Sequence, residues 1–273
     1  MATTQKKQSP KKQGFTGIRS GLTVIICCFV IAICIFKLIF GASANFVGGD
    51  PNNAVLNGNL LGTIYKGGVV VPIIQTLLLT VVALSIERFF ALRTAFGKGS
   101  LVRFVNNIKS ALAANDLAKA QEICNKQRGS VANVVTSTLL KYDEMGKDSN
   151  LTKEQKLIAI QQTLDETTAL ELPTLQMNLP IIATIVTLGT LTGLLGTVTG
   201  MIKSFAALAA GGGGDSLQLS TGISEALINT AFGILTGALA VISYNYFTNK
   251  IDKLTFSLDE VGFTIVQTFA ATH

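Results

Sequence analysis

Glu225, Asn229, Thr236 and Ser243 recur at steps of four and seven residues along an otherwise apolar run from Ile223 to Phe247. At about 100° per residue they project within about 40° of one another on a helix. Thr230 lies beside them, on the flank of a small-residue stripe formed by Ala226, Gly233 and Gly237. A polar stripe on a membrane helix must face protein or water, because hydrocarbon offers no hydrogen-bond partner. A carboxylate there is costly and marks a functional candidate. Hydroxyls and a carboxylate together can support a hydrated proton path through an otherwise dry helix bundle. The structural alternative places Glu225 near its helix end, where it merely reaches the interface.

A second apolar run, Ile181 to Ile202, supplies the complementary surface. Gly189, Gly193, Gly196 and Gly200 fall on it, within roughly 60° of one another on a helix. A stripe without side chains lets another helix approach closely, which is how helices associate in lipid. Thr190 and Thr197 stand on its edge. The plainer reading has these threonines bonding back to their own carbonyls.

These two runs need a membrane bundle to position them, and the composition agrees. The chain has 273 residues, 48% of them hydrophobic and 14% charged, with a mean hydropathy of +0.48. That fits an all-α, multi-span membrane protein whose long helices extend into the cytoplasm. The net charge of +6 gathers in the N-terminal tail and between Arg88 and Lys156. Nucleic acid is a poor partner for it, since acids interleave the bases and no aromatic platform accompanies them. The topology rule for cytoplasmic loops accounts for it better. Cys27, Cys28, Cys34 and Cys124 show neither metal-ligand spacing nor a disulfide framework. No metal and no cofactor is expected, and the sole histidine, His273, is given no chemistry.

Residues 1–20 read as a basic cytoplasmic tail and 21–41 as a transmembrane anchor. Ala42-Ser43-Ala44 resembles a signal-peptide cleavage site. The apolar stretch is longer than a signal core, which favours retention; cleavage after Ala44 is the alternative. Residues 42–68, rich in Gly and Asn with a turn at Asp50-Pro51, read as a periplasmic loop. A second span covers 69–92, ended at the cytoplasmic face by Glu87, Arg88 and Arg93, with Glu87 in an interfacial ion pair. Residues 93–178 read as cytoplasmic helices with caps at Asn115, Ser130 and Thr152. The last of these helices continues toward the membrane, bent rather than ended by Pro173 and Pro180. Residues 179–250 hold two further spans joined by a flexible hairpin containing Gly211–Gly214, and 251–273 form an amphipathic cytoplasmic tail. The four spans are expected near 21–40, 69–90, 180–204 and 223–247, with both termini cytoplasmic.

Leu-Pro-Ile-Ile-Ala-Thr-Ile (179–185), Gly-Leu-Leu-Gly-Thr-Val-Thr-Gly-Met-Ile (193–202) and Ile-Ser-Glu-Ala-Leu-Ile-Asn-Thr-Ala-Phe-Gly (223–233) resemble the proton-channel family of ExbB, TolQ and MotA, ExbB most closely. The resemblance covers about residues 69–250. It implies a bacterial inner-membrane motor subunit without enzymatic activity. It also implies a homo-pentamer around a pair of single-span ExbD-like helices, coupled to a TonB-like protein. The family's pore-lining threonines carry over onto Thr197 and Thr230, and its glutamate onto Glu225. Asn229 and Thr236 share the Glu225 face. The glycines at 189, 193, 196, 200, 233 and 237 are expected to hold the oligomer together. The family's prolines are absent at Thr190 and near Leu239, so both helices should run straighter.

TolQ-like envelope maintenance and MotA-like motility are the alternatives within the family. A non-conducting scaffold is the alternative outside it. A solute transporter would show an internal repeat, and none is seen. Paired carboxylates, metal-ligand spacing and nucleophile motifs are all missing, which disfavours enzymes.

Overall fold

The apolar periodicities become helices in a computed structural model that describes residues 21–51, 53–56, 58–210 and 216–272. The basic tail, the Gly211–Gly214 stretch and His273 lie outside the described residues. In chain order the helices are α1 (Gly21–Ile35), α2 (Leu60–Tyr65), α3 (Val70–Phe96), α4 (Leu101–Ala113), α5 (Leu117–Gln127), α6 (Gly129–Lys147), α7 (Lys153–Gln176), α8 (Leu179–Ala210) and α9 (Ser216–Thr272). Among the described residues there is no strand, only one isolated bridge between Phe46 and Val55. Four helical stretches, within Gly21–Phe40, Val70–Ala113, Lys153–Ala206 and Leu219–Thr272, are long and apolar enough to cross a membrane. The protein is an all-α membrane protein.

The chain divides into two units. Among the described residues, one comprises 21–87 and 178–246 and carries the apolar helices. The other comprises 88–177 and 247–272 of the described residues.

In the second unit the core is built by α4 to α7 and the end of α9. Ile108, Val131, Val135, Leu139 and Ile160 are buried, and so are Leu254, Leu258, Val261, Ile265 and Phe269 at three- and four-residue steps along the tail. Phe269 meets the Tyr142 ring edge to face, with centroids 4.9 Å apart. The Tyr142 and Thr272 hydroxyls lie 3.1 Å apart, and Lys109 pairs with Glu260 at 2.6 Å. The tail is not a separate element: α9 runs unbroken for 57 residues.

Two of the three expected caps are displaced. Asp116, not Asn115, caps α5 by accepting from the Lys119 N–H at 2.9 Å. Ser130 lies inside α6, which starts at Gly129 after Arg128 takes a positive φ of 59°. Gly129 itself has φ 83°, and a Cβ there would lie 2.4 Å from the Ala95 carbonyl, so only glycine fits this close crossing. Thr152 caps α7 as expected from its sequence, closing a capping box with Gln155.

The joint before the third span is also not where the prolines lie. Pro173 sits inside α7, and Pro180 sits in the first turn of α8, where a missing N–H costs nothing. The helix instead ends at Gln176, and Asn178 turns the chain at φ 65°. Asparagine tolerates that left-handed backbone better than most residues.

The 42–68 segment folds more than a loop of its composition suggests. After α1 a π turn, Phe36–Phe40, brings Phe36 onto Tyr65, stacked at 4.7 Å. Asn45, buried, donates to the Ile39 and Phe40 carbonyls at 2.8 and 2.9 Å. Asn59 donates to the Asn45 Oδ1 and caps α2 with its own Oδ1. Asparagines thus satisfy the backbone that the π turn leaves open. The Asp50-Pro51 turn is present, closed by the Asn53 N–H on the Asp50 carbonyl.

Candidate functional site

Helices α8 and α9 meet along their glycines within one chain. A Cβ on Gly233 would lie 2.7 Å from both the Gly193 Cα and the Gly189 carbonyl. A Cβ on Gly200 would lie 2.9 Å from the Gly222 carbonyl, and one on Gly237 2.8 Å from the Thr190 hydroxyl. Partners descend on α8 as they ascend on α9, so the two helices form an antiparallel pair at backbone distance. Gly189, Gly193, Gly196, Gly200, Gly233 and Gly237 are all buried in it. Within one chain the α8–α9 hairpin covers these stripes, so they serve helix packing inside the chain. The faces left exposed are apolar, among them Leu191, Leu194, Leu195, Ile234, Leu235 and Ile242.

The same register brings Thr197 and Thr230 together, hydroxyl to hydroxyl. Around them stand two backbone carbonyls. Thr197 Oγ1 lies 3.3 Å from the Gly193 carbonyl and 3.4 Å from that of Ala226. Thr230 Oγ1 lies 3.2 Å from the Ala226 carbonyl and 3.5 Å from that of Gly193. Two O–H protons thus share four oxygens, an excess of acceptors that leaves room for a further donor. Both threonines are half-buried, and the carbonyls come close because glycine and alanine flank them.

The other residues of the polar face have distinct surroundings. Thr236 is fully buried and bonds back to the Phe232 carbonyl at 2.8 Å, with its methyl against Gly189. Asn229 is fully buried on Gly196; its Nδ2 donates to the Gly67 carbonyl at 2.9 Å, and its Oδ1 has no partner among the described residues. Glu225 is also buried, 7% exposed. Its carboxylate accepts from Lys203 of α8 at 2.7 Å and fills the space beside Gly68, whose φ is 74°.

Lys203 and the Gly67-Gly68 turn escaped the sequence reading. The signal for Lys203 was present: it stands six residues after Thr197, while Glu225 stands five before Thr230. Any antiparallel register that pairs the threonines also pairs these charges. Nothing in the sequence linked Gly67 to α9, ahead of the second span by position and without a polar side chain of its own.

Of the residues closing the second span, Glu87 and Arg88 are buried and Arg93 is exposed. Arg88 is fully buried and donates through Nη1 to the Thr174 and Leu175 carbonyls at 3.2 and 3.3 Å, satisfying the C-terminal end of α7. Glu87, 6% exposed, accepts from the Asn178 side chain at 3.3 Å.

A family model for the MotA/TolQ/ExbB proton channel family matches residues 131–260. An ExbB-like biopolymer transport protein of Synechocystis sp. is 34% identical over 191 residues, covering 68% of this chain and 69% of its own. The Tol-Pal system protein TolQ of Pseudomonas aeruginosa is 25% identical over 194 residues, covering 67% of this chain and 81% of its own. The biopolymer transport protein ExbB of Pseudomonas putida is 29% identical over 155 residues, covering 56% and 46%. With its four apolar helices and its glycine-packed α8–α9 pair, the chain belongs to the MotA/TolQ/ExbB proton channel family.

Proposed function

We propose that the chain is an ExbB-like subunit of a proton-driven motor in the bacterial inner membrane. In this reading it works as a homo-pentamer with an ExbD-like single-span partner and passes the proton-motive force to a TonB-like protein serving outer-membrane transport. The observation that carries the reading is the Thr197–Thr230 hydroxyl pair, bracketed by the Gly193 and Ala226 carbonyls where α8 and α9 meet. Each hydroxyl can donate to one oxygen and accept from another. The pair can therefore pass a hydrogen bond between the two helices as a partner's carboxyl group gains and loses a proton. Neither hydroxyl is acidic enough to carry a net proton; their role is to orient water and carboxyl groups in a dry surrounding. Family membership supports the proton-handling class, and the similarity to both ExbB and TolQ relatives leaves the inner-membrane and TonB assignments as parts of the proposal.

The test is Thr197→Val with Thr230→Val, which keeps side-chain shape and removes both hydroxyls. Assembly with the ExbD-like partner, read by pull-down, should persist. Growth or uptake that depends on the motor should fall at least tenfold, about the effect of 1.4 kcal/mol. Full activity in the double variant would overturn the assignment and favour a scaffold, in which each threonine only bonds back to its own helix.

A further inference from the structure

Glu225 is the sole charged residue of α9 between Leu219 and Asn249, and Lys203 is the sole charged residue of α8. The two meet at 2.7 Å. The environments of the two groups differ: the Glu225 side chain is 9% exposed and that of Lys203 59%. The third element against the carboxylate is the Gly67-Gly68 turn, which brings no charge of its own. A Cβ on Gly68 would lie 2.3 Å from Glu225 Oε1, so the turn is shaped to the carboxylate. The preceding residue, Lys66, holds its ammonium over the Phe46 ring at 5.8 Å. One turn further along α9, Asn229 ties the same Gly67 carbonyl.

We propose that Lys203 is a positioning residue that pairs with Glu225, so that Glu225 serves as a fixed charge in this chain and not as a carrier of protons. This rests on the proposed proton-handling role of the α8–α9 pair and refines it. A carboxylate that relays a proton must change charge with each passage. One that faces an ammonium at 2.7 Å loses its attraction to that ammonium on each protonation, and leaves the ammonium without its counter-charge. The pair also cancels the field that an isolated Glu225 would offer to cations, which removes cation concentration as its role. What remains is mechanical. The ion pair joins α8 to α9 one to two turns from the threonines, and the Gly67-Gly68 turn and Asn229 fix the same stretch of α9 from the side of α3. Removing Lys203 leaves the buried Glu225 carboxylate without its partner, which is worse than removing both.

The experiment uses the full chain reconstituted with its ExbD-like partner. Lys203→Met and Glu225→Gln should each reduce motor-dependent uptake about tenfold or more, and the double variant should recover most of it. Lys203→Arg should stay near the native level, because the positive charge is kept. Infrared difference spectra, with Glu225→Gln assigning the bands, should show an ionised carboxylate in the native protein at neutral pH. The protonated carboxyl stretch should emerge in Lys203→Met, a change that a purely structural lysine does not produce. A double variant as inactive as Glu225→Gln, or a protonated Glu225 in the native spectrum, would overturn the proposal. The spectrum does not depend on activity. Loss of the threonine reading therefore shows in the Thr197→Val, Thr230→Val uptake alone, and loss of the fixed-charge reading shows in the spectrum.

Discussion

Arg88 carries the largest side chain among the fully buried residues. Its guanidinium serves the last carbonyls of α7, which have no partner further along the helix. Arg88→Met keeps the volume and removes the donor. The expected loss is about 1.5–3 kcal/mol, the range for hydrogen bonds to a charged group. A lower melting temperature of the detergent-solubilised chain, partly restored in Arg88→Lys, is the readout; an unchanged melting temperature would contradict the capping role. The sequence marked Arg88 as notable, but as an interfacial charge. Burial of an arginine depends on where α7 ends, and a residue's own neighbours in sequence carry no such information.

Cys124 gives a second residue-scale expectation. Burial pushes its thiol from an ordinary 9.0 up to about 11, opposed by a hydrogen bond with Thr136. The folded state therefore keeps the proton over a range where the unfolded chain has lost it. Its contribution to stability is complete below pH 9 and fades as pH rises from about 9 to about 11. Melting curves of the native chain and Cys124→Ala, compared across that window, should converge toward the alkaline end. Parallel curves would contradict the expected linkage.

At the scale of elements, the glycine stripes were legible and their partner was not. Four glycines on one face announce a close neighbour, but a sequence does not say whether that neighbour is the same chain or another copy. Within the chain the register sets Gly193 against Gly233 and Gly200 against Gly222. A single methyl is enough to test this. A Cβ at Gly193 meets the Asn229 carbonyl at 2.9 Å and the Gly233 Cα at 3.0 Å, both backbone atoms without freedom to move aside. Gly193→Ala should cost about 1–3 kcal/mol, as overpacking does, and should lower the melting temperature of the isolated chain. Native stability in that variant would place the contact elsewhere. The Thr152 capping box is a contrasting case, readable from Thr152 and Gln155 three residues apart. Thr152→Ala should cost about 1 kcal/mol and speed hydrogen exchange in the first turn of α7 alone. Uniform exchange changes, or none, would argue against a local cap.

For the molecule as a whole, hydropathy and basic-residue placement sufficed for an all-α membrane protein with four apolar helical stretches, because each stretch is set by its own composition. The folded segment between α1 and α3 did not show itself, since its core is assembled from Asn45, Asn59, Phe36 and Tyr65, residues scattered among glycines that suggest a plain loop. The proposed topology, with both termini cytoplasmic, bears on the first span. Intact mass of purified protein should correspond to a retained residue 1–44 segment. A mass matching 45–273 would show cleavage and leave three spans.

The Lys203–Glu225 pair also has a meaning for biosynthesis. In the proposed topology both charges must reach the outer end of their helices. A lone lysine on the translocated end of α8 opposes the preference that keeps basic residues inside. The glutamate that neutralises Lys203 lies 22 residues later in the chain. Insertion of α8 should therefore wait for α9, the two entering as one hairpin. A nascent chain truncated after Ala210 should leave its C-terminal reporter largely on the cytoplasmic side, and Lys203→Met in the same truncation should send it across. Efficient translocation of the truncated native sequence would show that α8 inserts without help.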